Sequence, residues 1–209
     1  MGKSILFVQQ KGGAGKTMLL TQLAVERAQK GAAVTLIDLD AQRSTTAWFG
    51  ERGQRAGAVS GIELIESADW RASSDIREAA RKSDWVFIDA PGSADDLGKG
   101  AMRAADFALI PCQPAMADVW ASKATLEMAA GQKLPHAVVF NRVPPRGRAA
   151  EAAMQSLSET GAKMLKPRIG QRAAFADAFM MGAGVTETAR ASKAADEIRA
   201  LAKALTRAA

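Results

Sequence analysis

Lys11-Gly12-Gly13-Ala14-Gly15-Lys16-Thr17 follows the apolar run Ser4-Ile5-Leu6-Phe7-Val8, and these residue types at this spacing suit the binding of a polyphosphate. A strand that ends in a glycine-rich turn and opens into a helix aims several backbone N–H groups at one spot, where the helix dipole adds positive potential. Gly12, Gly13 and Gly15 let the backbone come close to phosphate oxygens, Lys16 reaches toward the β- and γ-phosphates, and the Thr17 hydroxyl can ligate Mg²⁺. The generic pattern G-x-x-x-x-G-K-[ST] fails at its first position, where the chain has Gln10. A variant, K-G-G-x-G-K-T, fits instead and leaves a second lysine, Lys11, at the front of the loop. The competing reading is a glycine-rich turn without a ligand; the flanking strand and helix speak against it.

Two further groups could serve the same chemistry. Asp38-Leu39-Asp40-Ala41-Gln42 ends an apolar run just before a helix, and a carboxylate such as Asp40 can orient or deprotonate an attacking water. Two solvent-facing carboxylates capping a helix would give the same pattern. Asp84-Trp85-Val86-Phe87-Ile88-Asp89 is an apolar strand ending in aspartate, which places Asp89 to hold Mg²⁺ through a water. Pro91-Gly92 then suits a switch loop near the γ-phosphate. Alone, that strand pattern is common; beside the other two groups it gains meaning.

The elements that must position these residues are legible as apolar runs over residues 4–8, 33–39, 84–89, 106–111 and 137–141. Their continuous apolar character suits buried parallel strands, with helical crossovers between them. Helices are expected over 16–30, 44–55, 73–81, 118–130, 149–158 and 193–207, with Leu19, Leu20, Leu23 and Ala24 facing the sheet and Gly31 stopping the first. The expectation is an α/β, doubly wound, mostly parallel sheet flanked by helices, with one domain over residues 1–209. In such a sheet ligands collect at the carboxyl ends of strands, where the phosphate loop, residues 38–42, residues 89–92 and Asn141-Arg142 converge. His136 starts a strand, and Trp48, Trp70, Trp85 and Trp120 read as packing residues rather than a cofactor cage.

Hydrophobic residues are 48% and charged residues 24%, an ordinary globular balance. No apolar run approaches the roughly 20 residues needed to span a bilayer. Met1-Gly2-Lys3 leads straight into a strand, so no signal peptide is expected, and a single cysteine, Cys112, fits a reducing cytoplasm. The net charge of +6 is uneven: residues 1–141 hold 16 Lys/Arg and 16 Asp/Glu, residues 142–209 hold 12 and 6. A polyanion partner and a solvated basic face both fit that excess.

The loop with its front lysine resembles the deviant Walker A ATPases of the ParA/MinD superfamily. The resemblance implies ATP and Mg²⁺ as cofactors, and a Lys11 that reaches across a dimer interface to the partner's nucleotide. Residues 38–42 resemble the superfamily's D-x-D-P-Q element, with alanine for proline at 41. There the second carboxylate, here Asp40, handles the hydrolytic water and the first, here Asp38, lies nearer the metal. Asn141, followed by Arg142, resembles the adenine-reading asparagine, and Pro167-Arg168 resembles the later loop that packs on the same base. Met18 departs from the pattern, standing where many relatives carry a hydroxyl for the α-phosphate.

Within the superfamily, membrane-positioning members end in an amphipathic helix with bulky apolar residues. Here Ile198, Leu201 and Leu205 recur between alanines and suit a helix packed on the sheet. Iron-protein members need two cysteines per subunit, which this chain lacks. The resemblance therefore implies a short ParA-type partition or positioning ATPase without an N-terminal DNA-binding domain, cytoplasmic and nucleoid-associated. It would form a homodimer with ATP, bind DNA non-specifically, and be stimulated by a ParB-like or cargo-adaptor protein. Lys163, Lys166, Arg168, Arg172, Arg190, Lys193, Arg199, Lys203 and Arg207 are the candidate DNA contacts. A metabolic ATP-dependent ligase and a nucleotide-binding scaffold with little hydrolysis are the alternatives on the same fold.

Overall fold

The computed structural model describes the chain except residues 69 and 93–95, and for 96–99 the backbone alone. Six strands, β1 (Lys3–Phe7), β2 (Val34–Asp38), β3 (Ile62–Glu66), β4 (Trp85–Asp89), β5 (Phe107–Cys112) and β6 (His136–Phe140), form one sheet in the order β3-β2-β4-β1-β5-β6. Every pairing is parallel. Helices α1 (Lys16–Gln29), α2 (Ser44–Gln54), α3 (Ala72–Lys82), α4 (Asp96–Ala104) and α5 (Met116–Gly131) connect successive strands. After β6 come α6 (Arg148–Ser158), α7 (Ala173–Met180), α8 (Val185–Thr188) and α9 (Lys193–Ala208).

Side-chain alternation along the strands divides the interior into two layers. Ile5, Phe7, Leu36, Phe87 and Leu109 face a core completed by α1, α7, α8 and α9. Leu6, Val8, Ile37, Val86, Ile88 and Ile110 face one completed by α3, α5 and α6. Helix α1 is buried nearly all round, with Leu19, Leu20, Leu23 and Ala24 fully covered, and it ends where Gly31 takes φ 83°. The last helix buries Ile198, Leu201 and Leu205 in the first core, so its apolar stripe is spent on packing. No helix among the described residues is long and apolar enough to cross a membrane.

The expected strands and helices appear with ends displaced by one or two residues, and four further elements join them. Strand β3 lies at the sheet edge, where Glu63 and Glu66 are exposed and its apolar side chains only half-buried, so it shows no continuous apolar run. Helices α4, α7 and α8 are short, and the eight-residue α7 is built mostly of alanine and phenylalanine. The tryptophans divide. Trp48 and Trp85 are buried, the latter under the Arg27 guanidinium, whereas Trp70 and Trp120 are 84% and 62% exposed and are not packing residues.

Candidate nucleotide and metal site

Strand register builds the site. Phe7 and Asp38 both pair with Asp89, so three adjacent strands end at one level and deliver the phosphate loop, residues 38–42 and Asp89 side by side. They open on a cavity of about 910 Å³, lined by Gly12, Gly13, Gly15, Lys16, Thr17 and Asp40 among others, with Pro91 and Gly92 beside them.

The loop is held from behind. Gly13 and Gly15 take φ 80° and 92°, in the left-handed region. A Cβ on Gly15 would lie 2.3 Å from Asn141 Nδ2, so this position has no room for a side chain. The Asn141 amide donates to the Ala14 carbonyl at 2.8 Å, and its Oδ1 accepts from the Arg142 N–H at 2.9 Å. Gln113 Nε2 donates to the Gly13 carbonyl at 2.9 Å. Helix α1 then starts with Lys16 largely buried on the cavity wall, with the helix dipole directed at the loop.

Asp89 is the electrostatic centre. Its carboxylate is fully buried; Oδ2 accepts from Thr17 Oγ1 at 2.6 Å and Thr45 Oγ1 at 2.8 Å, while Oδ1 has no partner. Burial pushes its pKa up to about 6, against the pull of the two hydroxyls and Lys16, and nearby Asp38 adds to the rise. An orphaned buried carboxylate oxygen beside a threonine hydroxyl fits a hard divalent cation. Among the described residues no three His, Cys, Asp or Glu side chains cluster as a metal cage. Mg²⁺ is such a cation: it keeps several waters and takes phosphate oxygens, so it is held by one or two protein donors.

The two carboxylates of the second motif separate in role. Asp40 reaches the cavity wall, where its Oδ1 accepts from Gln42 N–H at 3.0 Å. Asp38 is fully buried and spends both oxygens locally: Oδ1 on Asp40 N–H, Oδ2 on the Thr46 N–H and hydroxyl at 2.9 and 2.8 Å. It fastens the first turn of α2, and it stands off the cavity.

Lys11 also stands off the cavity. Its ammonium pairs with Asp118 Oδ2 on α5 at 2.5 Å, with side-chain exposures of 40% and 3%. The segment before it is zipped onto the same helix face: Gln9 Nε2 donates to Ser122 Oγ, Thr125 Oγ1 donates to Gln9 Oε1, and Gln10 N–H donates to Thr125 Oγ1. Asp118, Ser122 and Thr125 sit at helical spacing on one buried stripe, which is where a partner for this segment could have been sought in the sequence.

A family model described as the CobQ/CobB/MinD/ParA nucleotide binding domain matches residues 5–185. The chain belongs to this family. The maintenance of carboxysome distribution protein A of Halothiobacillus neapolitanus is 31% identical over 195 residues, covering 90% of this chain and 89% of that protein. Protein ParA of Rhizobium radiobacter is 31% identical over 188 residues, covering 85% and 82%. Among solved structures, apo McdA of Cyanothece has a TM-score of 0.84 at 19% identity, covering 98% of this chain and 100% of that one, a likeness of fold. Within the family the chain is of the ParA/MinD partition and positioning ATPase type.

The residues expected to bind nucleotide and metal fall into three groups. Gly12, Gly13, Gly15, Lys16, Thr17, Met18, Asp40 and Arg142 line the cavity, and Asp89 stands behind Thr17. Ala14 and Asn141 are buried behind the loop, and Pro167 lies outside the cavity lining. With its amide committed to Ala14 and Arg142, Asn141 braces the loop from behind and does not line the cavity. The far wall comes instead from Gly170, Arg172, Phe175, Phe179 and Met180, which sequence reading missed. The Phe175/Phe179 spacing was its available signal.

The basic candidates are equally divided. Arg172 is held by the Glu197 carboxylate through Nε and Nη2, a pairing that raises its pKa. Arg199 is tied to Asp196 and to the Arg190 carbonyl. Lys163 lies over the Phe107 ring. Lys193, Lys203 and Arg207 are exposed along one helical stripe of α9, and Lys166, Arg168 and Arg190 are exposed elsewhere.

Proposed function

We propose that this ATPase is an ATP-dependent dimerisation switch that binds DNA non-specifically and partitions or positions DNA or protein cargo. The observation that carries the reading is Lys11. A lysine built into the front of a phosphate loop, yet pointed away from its own chain's cavity, suits service to a second chain's nucleotide. The loop amides and Lys16 bind the polyphosphate, and Asp40, on the cavity wall, orients the attacking water. Thr17 and Asp89 would hold Mg²⁺, which would supply neutralisation of charge on the phosphates. The exposed stripe of Lys193, Lys203 and Arg207 supplies phosphate contacts to DNA, and closure of a dimer doubles it. The switch works in the cytoplasm at the nucleoid, and a cargo-attached, ParB-like partner accelerates hydrolysis.

Nucleotide-dependent dimerisation and DNA binding of Lys11→Ala and Asp40→Ala test this. The first variant loses the dimer; the second dimerises and stays closed. Normal dimerisation and DNA binding by Lys11→Ala would falsify the switch. Hydrolysis that answers only to a small acid substrate, and not to DNA or a basic peptide, points to a ligase instead.

A further inference from the structure

Thr45 belongs to no motif found in the sequence, yet it is fully buried and its hydroxyl donates to the carboxylate that stands behind Thr17. Two consecutive threonines open α2 and face different carboxylates: Thr46 satisfies Asp38 Oδ2, and Thr45 satisfies Asp89 Oδ2 at 2.8 Å. Thr17 donates to that same oxygen from the other side, at 2.6 Å. Two hydroxyls on Oδ2 fix the plane of the carboxylate and leave Oδ1 as the bare oxygen. A buried threonine can instead return its proton to a carbonyl of its own helix, as Thr21 does here to the Met18 carbonyl. Thr45 does not.

The placement also ties the site to α2. Among the described residues, Thr45 to Asp89 is the one side-chain hydrogen bond between the first turn of α2 and the strand end that carries Asp89. At the opposite end, Arg52 makes a bidentate pair with Glu187 at 2.9 and 3.1 Å and donates to the Gly182 and Val59 carbonyls. Both partners of that pair are 5% exposed. One end of α2 is therefore anchored in a closed network, and the other rests on Asp38 through Thr46 and on the metal-side carboxylate through Thr45. The loop over residues 38–43, which carries Asp40, hangs between that end and β2.

We infer that Thr45 is a positioning residue for the metal: it orients Asp89 from outside the ligand set and couples metal occupancy to the placement of the Asp40 loop. This rests on the nucleotide and Mg²⁺ reading of the site. A hydrogen-bonding partner of this kind, removed from behind a metal-serving carboxylate, lowers metal affinity about tenfold or more.

The test is binding of a fluorescent ATP analogue to the full chain, titrated with Mg²⁺ and repeated in EDTA, for wild type, Thr45→Val and Thr45→Ser. Thr45→Val should need about tenfold more Mg²⁺ for half-maximal binding, with EDTA affinity within about twofold of wild type, and Thr45→Ser should restore the wild-type curve. Thr45→Ala carries the same expectation if the valine variant does not fold. Equal loss in EDTA and in Mg²⁺ overturns the inference in favour of a structural role, as does an unchanged Mg²⁺ curve for Thr45→Val. A wild-type chain that binds nucleotide with no regard to Mg²⁺ overturns the metal assignment, and the inference with it. A wild-type chain that responds while Thr45→Val matches it overturns the inference alone.

Discussion

The Lys11 to Asp118 pair makes a quantitative prediction, because a lysine that serves a second chain must first leave its own partner. Asp118 is 3% exposed and its Oδ1 already lacks a hydrogen bond, so losing the ammonium strands a buried carboxylate. Breaking a fully buried pair by deleting one partner costs about 3–5 kcal/mol. Lys11 is 40% exposed, which lets water reach the pair and reduces the figure to roughly 2 kcal/mol. For a chain of this size that is a fall in Tm of about 4–8 °C for Lys11→Ala. Asp118→Asn keeps an acceptor for the lysine and removes the charge attraction, easing its departure by roughly 1 kcal/mol in each protomer. Two protomers make that about 2 kcal/mol per dimer, or a factor of about 30 in the ATP-dependent dimerisation constant. Calorimetry on the four members of the Lys11→Ala/Asp118→Asn cycle gives the coupling, and light scattering with a non-hydrolysable ATP analogue gives the dimer. A coupling near zero, with dimerisation of Asp118→Asn no tighter than wild type, would refute the reasoning.

Other outcomes follow from single contacts. Gly15→Ala forces a Cβ against the Asn141 amide at φ 92° and should reduce nucleotide binding by at least about a hundredfold, while Gly31→Ala, strained at φ 83° but in open space, costs about 1 kcal/mol in Tm measurements and leaves binding intact. Asp89, lifted to about 6, binds its proton more tightly folded than unfolded. The nucleotide-free chain should thus lose up to about 3 kcal/mol of stability as pH rises from about 4 to 6, whereas Mg²⁺-dependent nucleotide affinity should rise over the same window; denaturant titrations and nucleotide binding across pH 4–8 check both signs. If Lys193, Lys203 and Arg207 contact DNA phosphates, replacing each by alanine should flatten the log K against log salt slope by about 0.9, whereas Arg172→Ala, already engaged by Glu197, should leave it unchanged.

The strands and the phosphate loop were legible because their information is local. A buried parallel strand must be apolar on both faces, so residues 4–8 and 84–89 announce themselves whatever they pair with, and a loop that cradles phosphate needs its glycines and lysine in consecutive positions. Strand β3 lacked such a signature because an edge strand leaves part of its surface to water and can carry Glu63 and Glu66.

What stayed hidden depends on distance along the chain. Asn141 braces Ala14 across 127 residues, Lys11 meets Asp118 across 107, and Thr45 reaches Asp89 across 44. Each is a polar or charged side chain whose neighbourhood in the sequence offers several equally good roles: a turn former, a solvated charge, a helix N-terminal residue. The choice is made by register. Once Asp38 and Asp89 stand opposite each other, the first turn of α2 lies over the metal-side carboxylate, and whichever residue occupies its second position faces Asp89. Thr45 there supplies a proton; valine would fill the same volume and leave Asp89 Oδ2 with Thr17 alone. If Thr45 orients Asp89 as inferred, the dependence of nucleotide binding on Mg²⁺ is set in part by a helix that carries no phosphate-binding motif.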